Sequence, residues 1–164
     1  YIDTIRSLFG EPIKLNSKLL KHPNSNLDKP TRTYINFEYE NNLYGSLNIN
    51  HDSILESDMW TAGFEIEGDM GVCSGKISSM IGDGKNFKDN ISFTSKNSDE
   101  PLVFNKELDG RWFSDAFIGP MFSLIEAIDN NTQPETNIAD AFKTLKLLNL
   151  IEKSHETSSI ISCQ

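Results

Sequence analysis

The chain has 164 residues, 37% of them hydrophobic, and a formal net charge of −9. That is enough apolar material for one domain with its own core, with no run long enough to cross a bilayer. The carboxylate excess sets a repulsive field in front of phosphate backbones and anionic lipid, which argues against general nucleic-acid or membrane-surface binding.

Tyr1 to Phe9 carries Ile2, Ile5, Leu8 and Phe9 at helical spacing, with Gly10 placed for a left-handed C-terminus and Pro12 just beyond. A helix with a clear end and no clear beginning leads us to expect a chain cut from a longer protein. Pro12 to Lys21 reads as a strand, and "KHPNSNLDKP" as a loop. Thr33 to Tyr39 and Leu43 to Ile49 alternate apolar and polar residues, as half-buried strands do. Their register follows from the connection. A two-residue loop at Asn41-Asn42 would set Phe37 opposite Ser46 and split the apolar rows between two faces. A three-residue loop, Glu40-Asn41-Asn42 with Asn42 left-handed, pairs Tyr39 with Leu43 and Ile35 with Leu47 and keeps Ile35, Phe37, Tyr39, Leu43, Leu47 and Ile49 on one face. Tyr34, Asn36, Glu38, Tyr44, Ser46 and Asn48 then share the other.

Phe64 and Ile66 alternate with Glu65 and Glu67, "GDMG" makes a turn, and Val72 to Ile77 returns as a weaker strand; "GDGK" marks another turn before "NISFTS" and "PLVFN". Short strands joined by turns favour an antiparallel meander. A helix runs from Pro120 through Met121, Leu124, Ile125 and Ile128, with Ser114 placed to cap an earlier turn. A second starts at an Asn137 cap, with Asp140 in its first turn, and continues through Phe142, Leu145 and Leu148 to about His155. Leu147, Leu150 and Ile151 widen its apolar arc, so most of it should be buried. "SSIISC" closes the chain as a short strand. The expectation is one α+β domain over 1–164, with an open-faced, mainly antiparallel β-sheet and helices packed on one face.

Chemistry-bearing patterns are few. His22, His51 and His155 have no partner at ligand spacing, so no metal site is expected. The glycines of "GDMG" and "GDGK" open no helix with a phosphate-binding pattern, and no serine sits in G-x-S-x-G. Cys73 and Cys163 form no C-x-x-C pair, which fits a reducing, cytoplasmic setting better than a disulfide framework. Two stretches stand out. "NINHD" puts His51 and Asp52 at a strand end, where polar side chains either line a cleft or are simply solvated. "DGRWFSDAF" puts Arg111, Trp112 and Asp115 before a helix. An aromatic beside a charged pair suits a sugar or polyol, yet Trp112 and Phe117 also suit a hydrophobic staple, with Asp115 at the helix's positive end.

"YIDTIRSLFGEP", "FEIEGDMGV" and "RWFSDAFIGPMFSLIEAIDNNTQPETNIADAFKTLKLLNLIEKSHETSSII" together resemble the C-terminal domain of the glucose-fructose oxidoreductase and inositol dehydrogenase (Gfo/Idh/MocA) family, end to end. The resemblance implies an N-terminal Rossmann domain, absent from this chain, that binds NAD or NADP. It implies a C-terminal domain that helps shape the substrate site and makes homo-oligomer contacts through its open sheet face. The family's Asp-x-x-x-His-x-x-Asp element ends at Asp3 here, which would place the catalytic His immediately before Tyr1 and its Asp and Lys farther upstream. No catalytic residue falls within the chain. By this reading the chain is the substrate and oligomerisation domain of an NAD(P)-dependent oxidoreductase on a sugar, polyol or related hydroxy compound. It would be inert alone, with His51, Asp52, Arg111, Trp112 and Asp115 as substrate-contact candidates. The alternative is a non-enzymatic ligand-binding or assembly module.

Overall fold

The computed structural model describes residues 1–53, 61–77, 89–96, 102–108 and 115–164. In chain order the elements are α1 (Ile2–Phe9), β1 (Lys14–Leu20), β2 (Arg32–Glu38), β3 (Tyr44–Asn50), β4 (Ala62–Gly68), β5 (Gly71–Ile77), β6 (Asn90–Ser95), β7 (Leu102–Glu107), α2 (Ile118–Asp129), α3 (Ile138–Thr157) and β8 (Ile161–Ser162). Among the described residues the strands form two antiparallel sheets, ordered β3-β2-β1-β8 and β4-β5-β6-β7. The class is the expected α+β. The chain groups into two compact units, Tyr1–Ser53 with Gln133–Gln164, and Ile54–Thr132.

In the first unit, α1 ends at Gly10, whose φ of 78° is open to glycine and whose N–H donates to Arg6 O at 2.8 Å. Ile35 pairs with Leu47 and the Tyr39 N–H donates to Leu43 O at 2.9 Å, so the three-residue loop sets the expected register. Both Asn41 and Asn42 take φ near 60°, where only Asn42 was expected to be left-handed. Asparagine tolerates that conformation better than most residues, which suits the pair to a tight reversal.

Leu15, Ile35 and Phe37 point from the sheet into the core and meet Leu147 and Ile151 of α3. Ser154, 1% exposed, stitches the two layers together: it accepts from the Ser17 N–H at 3.0 Å and donates to Ser159 O at 2.7 Å. The Ser17 hydroxyl in turn donates to Ile151 O at 2.6 Å. The cap at α3's start is as expected, Asn137 accepting from the Ala139 and Asp140 N–H groups.

One expectation for α3 fails. Leu147, Ile151 and Ser154 form a single buried stripe, while Ile138 is 88% exposed and Phe142 68%. At 100° per residue Ile138 lies on the far side from Leu147, and a helix laid on one sheet buries only the stripe that faces it.

In the second unit, Gly68 pairs with Gly71 across the expected Asp69-Met70 turn. Phe64 lies over Gly75 of the neighbouring strand, where a side chain would have no room. The register gives a row Ile66, Cys73, Phe93 and Phe104 on one face and Glu65, Ser74, Ser92 and Asn105 on the other. Pro120 sits in the first turn of α2, which closes with Asn130 N–H and Thr132 N–H donating to Glu126 O and Ala127 O. The "GDGK" turn and Ser114 lie outside the described residues.

Candidate functional site

The far end of the first sheet gathers polar groups from two separated stretches of chain. Thr31, 1% exposed, is the hub. Its N–H donates to Leu20 O at 2.9 Å, its carbonyl accepts from the His51 N–H at 2.8 Å, and its hydroxyl accepts from the His22 N–H at 3.1 Å. The loop between β1 and β2 is turned onto itself by local bonds: Ser25 N–H to His22 O, Asn24 N–H to His22 Nδ1, and Leu27 N–H to the Ser25 hydroxyl. The first is a backbone turn, and in the other two the His22 ring and the Ser25 hydroxyl each accept from the N–H two residues on. On the other side, the Asp52 N–H donates to Asn50 Oδ1 at 3.1 Å, which fixes the chain leaving β3.

Asp52 is thereby brought to Ser25, Thr31, His22 and Arg32. A hydrogen bond from the Ser25 side chain is the main reason its carboxyl is held below the usual value; Thr31 and the charges of His22 and Arg32 act the same way, and burial opposes them. The downward shift adds to an aspartate's ordinary acidity, so at neutral pH Asp52 is a hydrogen-bond acceptor. Its Oδ2, like Arg32 Nε, is buried and has no hydrogen-bond partner within the protein.

The candidates from the sequence fare differently. Asp52 stands in this cluster, while the His51 side chain is exposed and only its backbone joins. Asp115 is exposed ahead of α2 in the second unit. Arg111 and Trp112 lie outside the described residues. Sequence reasoning missed His22, Ser25, Thr31 and Arg32, because the loop that carries them reads as polar filler until its internal turns are known.

It also missed the Arg6 cluster at the near end. Arg6 is 6% exposed, and its guanidinium bonds Glu11 at 2.7 Å, Asp140 at 2.9 Å, Thr144 at 2.5 Å and Asp3 at 3.2 Å. The Glu11 hydrogen bond is the chief reason its charge is held more firmly than in an ordinary arginine; burial opposes it and Asp140 adds to it. The cluster ties α1 to the first turns of α3. Among the described residues no group of three or more His, Cys, Asp or Glu is placed to hold a metal ion.

No protein-family model matches the chain, and no curated protein matches it. Solved structures do. An oxidoreductase from Agrobacterium radiobacter, solved with NAD+, L-tartaric acid and magnesium, superposes with a TM-score of 0.77 at 13% identity, over 99% of this chain and 46% of its own. Levoglucosan dehydrogenase, solved with NADH and L-sorbose, gives 0.76 at 17% identity, over 99% of this chain and 48% of its own. A super-repressor mutant of Gal80p from Saccharomyces cerevisiae gives 0.76 at 12% identity, over 98% and 47%. The chain thus spans under half the length of these proteins. At such identities the likeness establishes the fold, and it is the fold expected from the sequence resemblance, that of the C-terminal domain of these oxidoreductases.

Proposed function

We propose that the chain is the C-terminal substrate and oligomerisation domain of an NAD(P)-dependent oxidoreductase acting on CH–OH groups of a sugar, polyol or related hydroxy compound. The observation that carries the proposal is the fold match over 99% of this chain to under half of oxidoreductases solved with NAD+ or NADH. The sugar, polyol or hydroxy-compound class is supported by the hydroxylated compounds in those complexes, L-tartaric acid and L-sorbose.

The described residues do not fit a dinucleotide. Among the described residues α2 and α3 start at Phe117 and Asn137, neither in a glycine-rich turn that lets backbone N–H groups close on a pyrophosphate. On the family resemblance, cofactor binding is assigned to a Rossmann domain outside this chain, and the chain alone is proposed to be inert. A cytoplasmic setting goes with the proposal, since Cys73 and Cys163 are both free thiols. Among the described residues no helix is long and apolar enough to cross a membrane.

Substrate contacts are assigned to His51, Asp52, Arg111, Trp112 and Asp115. In the complete enzyme, Trp112→Ala or Asp115→Ala should raise KM or lower kcat about tenfold while leaving NAD(H) affinity near the parent value. Unchanged kinetics with a lowered melting temperature would instead make these residues a staple for the helix start. The second reading, a non-enzymatic module, is favoured by one observation: a super-repressor mutant of Gal80p carries the same fold. Kinetics with no turnover and no nicotinamide binding in the complete protein would select it.

A further inference from the structure

The outer side of α3 is apolar over its first half only. At 100° per residue Ile138, Phe142 and Leu145 fall within about 60° of one another, opposite the buried stripe of Leu147, Ile151 and Ser154 that faces the sheet. They are 88%, 68% and 58% exposed. Farther along, the same side turns to Asn149, Glu152 and Glu156, all exposed. Helix formation does not select the apolar cluster, since alanine, lysine or glutamate would hold the helix at least as well. Covering three such side chains returns about 1.5–3 kcal/mol each, which is lost while they face water. A patch of this kind marks a contact surface.

Its position indicates what covers it. α1 lies against the same half of α3: Thr144 donates to Asp3 Oδ1 at 2.8 Å, and Arg6 reaches Asp140 at 2.9 Å. Asp3 is in the first turn of α1, and the N-cap Tyr1 is 52% exposed. Thr144 is one residue from Leu145 and two from Phe142, about 1.5 and 3 Å along the helix axis. Polypeptide leading into α1 therefore arrives at the level of the patch, within about one helix diameter of it. The matched oxidoreductases are covered over 46% and 48% of their lengths, so each carries a further body of polypeptide larger than the matched part. The sheet's core face lies between α3 and the open face, so self-association through the open face leaves the patch free.

We propose that Ile138, Phe142 and Leu145 form the docking surface for the nicotinamide-binding domain that leads into α1. The inference rests on the oxidoreductase reading and adds to it the contact that holds the two domains together.

Photo-crosslinking of the purified complete protein, with p-benzoylphenylalanine in place of Phe142, tests it. The crosslink should join this position to a peptide from before Tyr1 in the same molecule, at a yield unchanged by dilution. Capture of a peptide from within residues 1–164, a crosslink between two copies, or no crosslink would each overturn the proposal. Phe142→Glu with Leu145→Glu should lower the melting temperature of the complete protein by about 5 °C or more. Asn149→Glu, which adds a charge on the same side of α3 beyond the patch, should lower it by less than about 1 °C. Equal shifts for the two variants would also overturn the docking. Neither readout uses cofactor or activity. A crosslink to the preceding domain in a protein that binds no nicotinamide would keep the docking and overturn the oxidoreductase reading; an uncovered patch in a protein that binds NADH would do the reverse.

Discussion

Arg6→Met should destabilise the first unit by about 2–4 kcal/mol, and α1 should lose its hydrogen-exchange protection before the sheet does. The reason is the asymmetry of buried charge. Among the described residues Arg6 is the single cation shared by Asp3, Glu11 and Asp140, and its side chain is 4% exposed. Methionine keeps the apolar stem and removes the charge, so the three carboxylates are left facing one another with Thr144 as their remaining donor. The figure sits below the usual cost of breaking a buried pair because Asp3 and Glu11 are 53% and 52% exposed and water screens them. Arg6→Lys should recover part of the loss, since an ammonium restores the charge without the guanidinium fork that reaches Glu11 and Asp140 together. Urea unfolding followed by α1 exchange measures both effects. An Arg6→Met variant as stable as the parent would show that apolar contacts of Ile2, Ile5 and Phe9 with the core hold α1 without the clamp.

The isolated chain should self-associate through the open face of the first sheet, and Tyr34→Glu with Tyr44→Glu should abolish that association. The face is laid out by the register. Lys14 aligns with Glu38 and Tyr44, Asn16 with Asn36 and Ser46, and Lys18 with Tyr34 and Asn48. Part of its polarity is matched within the sheet, Lys14 to Glu38 at 2.8 Å and Asn36 to Asn16 at 3.0 Å. That leaves Tyr34 and Tyr44, 45% and 68% exposed, as aromatic area on a surface of largely neutral polarity. Such a mixture suits a self-complementary two-fold interface, where tyrosines bury area and neutral groups supply hydrogen bonds. Two glutamates per protomer would place four unpaired charges in the contact, enough to lower affinity about a hundredfold or more. Light scattering at micromolar concentration should report a dimer, or a tetramer of such dimers, for the parent and a monomer for the double variant. A monomeric parent, or an oligomer indifferent to both charges, would contradict the interface.

What the sequence disclosed follows from the range of the interactions involved. The β2–β3 register was legible because alternation and loop length constrain each other over a few residues, and Ile35 opposite Leu47 follows from those two facts. The Asn137 cap is equally local. Burial along α3 was not legible: the arc from Ile138 to Ile151 is apolar nearly all round, and only the single sheet beneath it decides that Leu147 is covered and Phe142 is not. The division of the strands between two sheets depends on pairing across long separations, which periodicity does not encode. The same holds for the Asp52 cluster, since Ser25 reaches Asp52 from the β1–β2 loop, whose shape rests on hydrogen bonds between its own residues. Arg6 gave no signal at all, being one arginine on an amphipathic helix until α3 brings Asp140 to it.

The central claim is tested most directly by expressing the complete protein that contains this chain and titrating it, beside the chain alone, with NADH and NADPH, then assaying hydride transfer over a panel of sugars and polyols. The account predicts that the complete protein binds one of the two cofactors and turns over at least one hydroxy compound, while the chain alone binds neither. A complete protein that has no dinucleotide-binding domain and binds no nicotinamide cofactor would contradict it.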